Sequence, residues 1–311
     1  MEVSAAARSG GAAPRQDNPM EATATATARS LALPRLRFHE AVFLALGVGA
    51  LIALLFGGRQ NAALAAEIGA GSFLYFCALL AVSRRDGLAS ERMRLAANYL
   101  FTFWFYGATS RVTQALGTPT FDGQLLTCDE RLFGKTPAVT LEPLARPWLT
   151  DILSICYLSY LVYLQIVVIW AFRQPQRVIQ RFGASVFAGF AAGFLTYLLL
   201  PALGPGAAFP SLFSSPYHGG ILTAMNDSVV ARGAAIYGTF PSLHLLMTML
   251  LLDNDWRICR TRFWIMLAPS IGLTVSTMYL RYHYATDLFA AVVYFLVIHS
   301  VFIRCNRQPW K

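Results

Sequence analysis

Long apolar stretches alternate with polar connections along most of the chain. A helix needs roughly 20 mainly apolar residues to cross a bilayer, and eight stretches come close to this length. They are residues 40–57, 66–83, 95–112, 150–172, 182–201, 236–252, 263–280 and 283–303. The pattern therefore predicts an all-α integral membrane protein with about eight transmembrane helices. In the sixth stretch we expect Pro241 to lie in the first turn of the helix. The N–H groups of a first turn have no partner within the helix, so a proline there removes no hydrogen bond.

The composition agrees with a membrane protein and changes how the net charge is interpreted. Of the 311 residues, 56% are hydrophobic and 13% are charged, and the charged fraction is about half that of a soluble domain. The formal net charge is +9, but the arginines are scattered between apolar stretches and form no basic patch. We therefore expect the partner surface to be the bilayer and expect no nucleic acid to bind.

Basic residues lie mainly in every second connection, which predicts the orientation of the chain. Lys and Arg collect in the short loops on the cytoplasmic side of a membrane. Residues 1–37 are rich in Ala, Thr and Arg, and we interpret them as a disordered cytoplasmic tail. Further basic clusters lie within 84–94, 173–181, 257–262 and 304–311. This alternation predicts that both termini are cytoplasmic.

Two connections on the opposite side are long, at residues 113–149 and 202–235. Ordered loops of this length commonly carry function as a lid or as part of a binding site. Within the first connection, residues 129–134 fit either a short amphipathic helix that caps a site or a solvated turn, and we favour the helix.

Two histidines and one aspartate are the candidate chemical groups. Asp287 follows His283 by four residues near the start of the eighth stretch. An i, i+4 pair shares one helix face, so the carboxylate can accept a hydrogen bond from the imidazole and fix its tautomer. His244 lies at the start of the sixth stretch, and the seventh stretch crosses the membrane between them. Both histidines are therefore expected on the same, outer side at similar depth.

The starts of these two helices are expected to bind an anion. Free N–H groups and the positive end of the helix dipole favour a phosphate at such a position. Two imidazoles suit phosphoryl transfer, with one attacking phosphorus and the other protonating the leaving oxygen. Arg281 and Arg232 could neutralise charge on the phosphate oxygens. Together with Ser242 they are the candidate substrate-binding residues.

The stretches GTFPSLH (residues 238–244) and STMYLRYHYATD (residues 276–287) carry a family resemblance. They resemble the second and third motifs of the phosphatidic acid phosphatase type 2 superfamily. They are most similar to the branch that contains fungal inositol phosphorylceramide synthase. With the six apolar stretches from residue 95 onward, the resemblance extends over about two thirds of the chain.

The resemblance implies both an architecture and a role for each site residue. It implies a six-helix catalytic core over residues 95–311, with two accessory transmembrane helices over 38–94. It also implies that His283 is the nucleophile that forms a phosphohistidine and that Asp287 orients it. His244 would then donate a proton to the leaving group.

This chain departs from the phosphatase members of the family in two places. Those members have an arginine six residues before the nucleophilic histidine, where this chain has Thr277, and their first motif, a lysine followed by Arg-Pro, does not occur after residue 201. The sphingolipid phosphotransferase branch lacks the same phosphate clamps. The resemblance therefore implies transfer between lipids more than hydrolysis.

The resulting hypothesis is a membrane phosphotransferase with its active site on the exoplasmic side. It moves a phosphate-linked head group, such as phosphoinositol, from a phospholipid donor to a ceramide-like lipid acceptor, and we expect it to need no metal and no cofactor. The first alternative is a lipid or polyprenyl-phosphate phosphatase that uses water as the acceptor. The second is a membrane transporter or scaffold without enzymatic activity.

Less specific interpretations of the same residues also remain. His283 and Asp287 could form a structural contact, and His244, His283 and Asp287 could bind zinc, although no further ligand is evident. Three tyrosines in the fourth stretch, at positions 157, 160 and 163, are expected to pack between helices or at the membrane interface.

Overall fold

The computed structural model describes residues 36–233 and 235–304, the last three without their side chains. The predicted disordered tail lies outside the described residues, apart from Leu36 and Arg37. The described part of the chain is helical and contains no β-strand. Its longer helices are α1 (Phe38–Phe56), α2 (Ala62–Ser83), α3 (Leu88–Leu116), α4 (Asp122–Phe133), α5 (Pro147–Ala171), α6 (Gln176–Leu199), α7 (Ile221–Gly233), α8 (Leu243–Ile258), α9 (Arg260–Tyr279) and α10 (Ala285–Ile298).

Four helical segments in the described part are long and apolar enough to cross a membrane. These are α1, α5, α6 and the segment Arg59–Ser83, which contains α2. The other four predicted stretches coincide with α3, α8, α9 and α10, which are shorter or less apolar. The membrane character of the protein is confirmed, whereas the number of spans stays a prediction.

Helix α6 lies at the centre of the fold and is the most buried of the four. It packs against α1, α3, α8 and α10. Two glycines allow α8 to approach closely, because a Cβ atom on Gly193 would lie 2.4 Å from Leu243 and one on Gly189 would lie 2.7 Å from Leu250. Since Leu243 precedes His244, this close packing helps to set the position of the histidine.

A buried polar cluster joins α1, α2 and α3 near the start of α1. Arg94 donates to Glu40 over 3.0 Å, and Asn98 donates to the other oxygen of the same carboxylate over 3.2 Å. The Tyr75 hydroxyl donates to the Asn98 amide oxygen over 2.7 Å. All four side chains are buried. Removing one partner of such a buried ion pair costs about 3–5 kcal/mol.

The two long connections contain helices of their own. The connection after α3 holds α4, which packs against the side of α10, so the predicted short helix around residue 130 is confirmed. The connection after α6 holds α7, which packs against α5. Asp151 of α5 accepts hydrogen bonds from the Gly220 and Thr223 amides and from the Thr223 hydroxyl. The start of α7 is thereby attached to α5.

Candidate active site

His244 lies in the first turn of α8, which begins seven residues after the start of the predicted stretch. Ser242 is the N-cap, and its hydroxyl accepts a hydrogen bond from the Leu245 amide over 3.4 Å. The expectation that Pro241 occupies the first turn is therefore wrong, since Pro241 precedes the N-cap. A serine side chain can accept from the free amides of a first turn, and this places the boundary after the proline.

His283 and Asp287 are in contact, but not on one helix face as predicted. His283 lies in the turn between α9 and α10, and Tyr284 is the N-cap of α10. Asp287, in the first turn, has Oδ2 3.1 Å from His283 Nδ1 and accepts from the Tyr284 amide over 2.9 Å. The two side chains meet because Asp287 is the third residue of α10 and its side chain extends back past the N-cap residue Tyr284.

The rings of His244 and His283 lie close together, with their centroids 5.9 Å apart and their planes at 67°. His283 Nε2 is 3.3 Å from the Ser242 hydroxyl. The start of α8 and the turn before α10 thus bring two imidazoles and one hydroxyl together, with the Asp287 carboxylate behind His283 on its other ring nitrogen.

Two tyrosines that the sequence analysis treated as packing residues also belong to this site. The Tyr157 ring lies 4.6 Å from the His244 ring between centroids, and the Tyr160 ring lies 5.1 Å away at a steep angle. The third member of the series, Tyr163, instead donates to Asp255 near the other end of α8. All three tyrosines are buried between helices as predicted, and Tyr157 and Tyr160 also contact His244.

The start of α10 is not the free anion site that was expected. The Ala285 amide donates to Asp129 over 3.0 Å, and the Thr286 amide donates to the same carboxylate over 2.9 Å. The Tyr284 amide is taken by Asp287. An anion-binding helix start needs free N–H groups, and here two carboxylates of the protein already accept them.

A cavity of about 430 Å³ adjoins His244 between α3, α5, α6, α7 and α8. Apolar and aromatic side chains form most of its wall, and Arg232 and His244 also line it. Volumes of about 300–1,000 Å³ are typical of small-molecule sites. Arg232 therefore shares a cavity with one of the two candidate histidines.

Arg281, the other candidate cation, makes contacts within the protein instead. Its guanidinium donates to Glu142 over 3.2 Å and to the Ser215 carbonyl over 2.7 Å, and it lies over the ring of Phe213. Its backbone has a positive φ of 64°. This unusual conformation turns the side chain toward the long connections, although Arg281 is only two residues from His283.

Thr277 replaces the arginine of the phosphatase members and supports the turn before α10. Its carbonyl accepts from the Tyr282 and His283 amides, each over 3.0 Å. Its hydroxyl donates to the Thr274 carbonyl of its own helix over 2.8 Å. The residue therefore helps to hold His283 without supplying a charge to the site.

The zinc interpretation finds no support in the geometry of the described residues. Among them, no group of three or more His, Cys, Asp or Glu side chains is arranged to hold a metal ion.

Comparison with known proteins identifies the family of the chain. The sequence profile of the PAP2 superfamily matches residues 123–301, from the second residue of α4 to beyond α10, and this range includes every candidate site residue. The chain belongs to the PAP2 superfamily. Membership of the PAP2 superfamily suggests a lipid phosphatase or phosphotransferase, and it does not distinguish between them.

A curated relative in Dictyostelium discoideum, a PA-phosphatase related-family protein, is 23% identical over 257 residues. The match covers 70% of this chain and 46% of the relative, so the chain spans about half the length of that protein. No solved structure gives a significant match to this PAP2 superfamily member.

Proposed function

We propose that the protein is a membrane lipid phosphotransferase of the inositol phosphorylceramide synthase type. It moves a phosphate-linked head group, such as phosphoinositol, from a glycerolipid to a ceramide-like or other lipid alcohol. The observation that carries this proposal is the 5.9 Å separation of the His244 and His283 rings, with Asp287 on the far nitrogen of His283.

The first step forms a bond between His283 and phosphorus. A proton on Nδ1 faces the Asp287 carboxylate, so Nε2 keeps the lone pair that attacks phosphorus. The bond from phosphorus to the glycerol oxygen breaks, and protonated His244 gives its proton to that oxygen. The products are diacylglycerol and a head group held as a phosphohistidine.

In the second step His283 is the leaving group and His244 is the base. The acceptor hydroxyl attacks phosphorus and passes its proton to His244, while the nitrogen–phosphorus bond breaks and restores His283. In the phosphatase alternative, water takes the place of the acceptor alcohol in this step.

Arg232 and Ser242 are the residues we propose for contact with the phosphate oxygens. Arg232 lines the cavity beside His244, and the Ser242 hydroxyl is close to the attacking nitrogen. Arg281 is less suited to this role, because Glu142 and Ser215 already accept from its guanidinium.

The cavity beside His244 supports a lipid as the acceptor. Its wall is mostly apolar, with side chains such as Phe103, Leu161, Leu164 and Phe190. Burying an acyl or sphingoid chain against such a wall is favourable, at about 25 cal/mol per Å² of apolar surface. Water gains nothing from this surface.

We also propose eight transmembrane helices with cytoplasmic termini and an exoplasmic site. The two histidines lie at the beginnings of α8 and α10, whereas Arg257 lies in the last turn of α8 and Arg260 begins α9. Placing the arginines on the cytoplasmic side puts the histidines on the opposite one.

The product of a labelled donor tests the reaction. Purified protein in nanodiscs receives phosphatidylinositol labelled in the inositol ring, together with ceramide. We expect a labelled sphingolipid and unlabelled diacylglycerol. The control is the triple variant His244→Ala, His283→Ala, Asp287→Asn, which should form neither product.

Hydrolysis is the second candidate function, because the Dictyostelium relative is described as PA-phosphatase related. Release of water-soluble inositol phosphate without labelled sphingolipid would establish hydrolysis and refute transfer. A triple variant with unchanged cellular function would favour the transporter or scaffold alternative.

A further inference from the structure

Asp129 is a buried carboxylate that accepts hydrogen bonds from the first turn of α10, which follows His283 and contains Asp287. It belongs to α4 and lies 156 residues before Ala285 in the sequence. Its side chain is fully buried. Its Oδ1 accepts from the Thr286 amide and hydroxyl over 2.9 and 2.7 Å. Its Oδ2 accepts from the Ala285 amide over 3.0 Å and from the Thr136 hydroxyl over 2.8 Å.

These bonds fix the two residues that immediately precede Asp287. Thr286 immediately precedes Asp287, and Ala285 and Tyr284 separate it from His283. Asp287 in turn contacts His283 Nδ1 and the Tyr284 amide through one oxygen. A shift of the first turn of α10 would therefore move the carboxylate away from the imidazole.

The chemistry of the four donors explains why this residue has to be an aspartate. All four groups that face the side chain donate, and a carboxylate offers two oxygens that only accept. Burying a charge is costly unless hydrogen bonds compensate it. An asparagine of the same shape would direct its NH₂ group against one of the two backbone amides, which can only donate.

We propose that Asp129 is a positioning residue for the reaction at His283. It holds the first turn of α10 so that Asp287 stays aligned with His283 Nδ1 and Nε2 points toward phosphorus. This inference rests on the proposed function for the reaction itself, but the alignment of His283 is independent of the substrate.

The first test compares Asp129→Asn with Glu130→Gln, which changes an exposed carboxylate on the same helix. In the lipid transfer assay, Asp129→Asn should lower kcat by roughly 10- to 100-fold, because small misplacements of reacting groups slow the chemical step. The KM for the donor should stay close to that of the wild type. Glu130→Gln should leave both constants unchanged.

A milder variant covers the case in which Asp129→Asn does not fold. Thr286→Val removes one hydroxyl donor to Asp129 and keeps the amide donor. Loss of a single hydrogen bond should lower kcat by roughly 2- to 10-fold. A lower melting temperature with unchanged kcat in both variants would make Asp129 a purely structural contact and would overturn the proposal.

A second measurement follows the imidazole without any substrate. Nitrogen NMR of protein labelled in its histidine rings reports the proton on each ring nitrogen, and His283→Asn assigns the His283 signals. We expect Asp129→Asn, but not Glu130→Gln, to change the Nδ1 signal of His283. An unchanged signal would refute the positioning role. Absence of lipid turnover in the wild type would instead refute the proposed function.

Discussion

His283 is held on both ring nitrogens, with Asp287 Oδ2 3.1 Å from Nδ1 and the Ser242 hydroxyl 3.3 Å from Nε2. An ionised carboxylate can only accept, so the proton belongs on Nδ1. The hydroxyl then donates to Nε2. A substrate phosphate has to displace this hydroxyl to reach the lone pair.

Replacing Asp287 by asparagine should therefore affect the chemical step strongly. The side-chain amide of the variant can donate to His283 Nδ1, which would favour the wrong tautomer. We expect kcat to fall by about 10²- to 10⁴-fold, the usual contribution of a positioned acid or base. Steady-state kinetics in nanodiscs measures the change.

Asp86→Asn is a suitable control for this experiment. Asp86 is exposed in the connection between α2 and α3, and its loss should leave kcat unchanged. An Asp287→Asn enzyme with full activity would rule out the assigned role.

His244→Ala should be sensitive to the leaving group of the substrate. An alkoxide needs a proton as it departs, whereas p-nitrophenolate is stable without one. We expect a loss of about 10²- to 10⁴-fold with a phospholipid and a much smaller loss with a p-nitrophenyl phosphodiester. The ratio of the two kcat/KM values is the measurement.

His218→Ala is the control for the loss of a histidine, because His218 is exposed in the connection between α6 and α8. Its two kcat/KM values should match those of the wild type. Equal losses with both substrates in His244→Ala would contradict the role of His244 as proton donor.

Gly107→Phe should restrict the cavity beside His244. Gly107 lines this cavity, and a Cβ atom there would meet no other atom within 4 Å. The added ring would displace part of a long lipid chain. We expect kcat/KM to fall roughly 10-fold for a long-chain acceptor, corresponding to the apolar burial that is lost, and to change little for a short-chain analogue.

Gly49→Phe provides a matched control for this substitution. Gly49 is an exposed glycine of α1 with equally open surroundings. A uniform loss for both chain lengths in Gly107→Phe would indicate a general packing defect and not a binding site for the chain.

Protonation of Glu142 at acidic pH should loosen the connection between α6 and α8, because Ser214 and Ser215 donate to its carboxylate. Burial raises the pKa of Glu142, but hydrogen bonds from Ser215 and Ser214 and the charge of Arg281 outweigh it, so the pKa is lower than the ordinary value of 4.5. Stability from this lowered pKa is complete above pH 4.5. It is lost as the pH falls through the lower pKa of the folded protein.

Hydrogen exchange of residues 210–217, corrected for the intrinsic rate at each pH, measures this effect. Protection should decrease below pH 4.5 in the wild type. In Glu142→Ala it should be weak already at pH 7, since the oxygen that accepts from Ser214 and Ser215 is gone. Protection that is identical in both proteins would contradict the prediction.

The helices and the two histidines could be predicted because each has a local signal. A long apolar run is sufficient to predict a helix in a membrane, and the motifs around His244 and His283 mark two helix starts. The exact cap was not predictable, because Pro241 and Ser242 both favour a helix start and only the hydrogen bond of Ser242 distinguishes them.

The other parts of the site depend on contacts between distant segments. Tyr157 looks like any aromatic residue in an apolar helix until His244 packs against it. Asp129 lies in a connection whose path the sequence does not reveal, and Arg281 meets Glu142 from 139 residues away. Such partners carry no periodic signal, so neither the positioning carboxylate nor the occupied arginine could be found from the pattern alone.

The pair formed by Glu40 and Arg94 has a consequence for shortened versions of this protein. A truncated protein that starts after α2 would retain Arg94 within the bundle but lose the Glu40 carboxylate that pairs with it. The trimmed protein would then expose an apolar face of α6 and lose the buried ion pair between Glu40 and Arg94. Expression trials aimed at a minimal enzyme should therefore keep the first two helices, even though the chemistry takes place elsewhere.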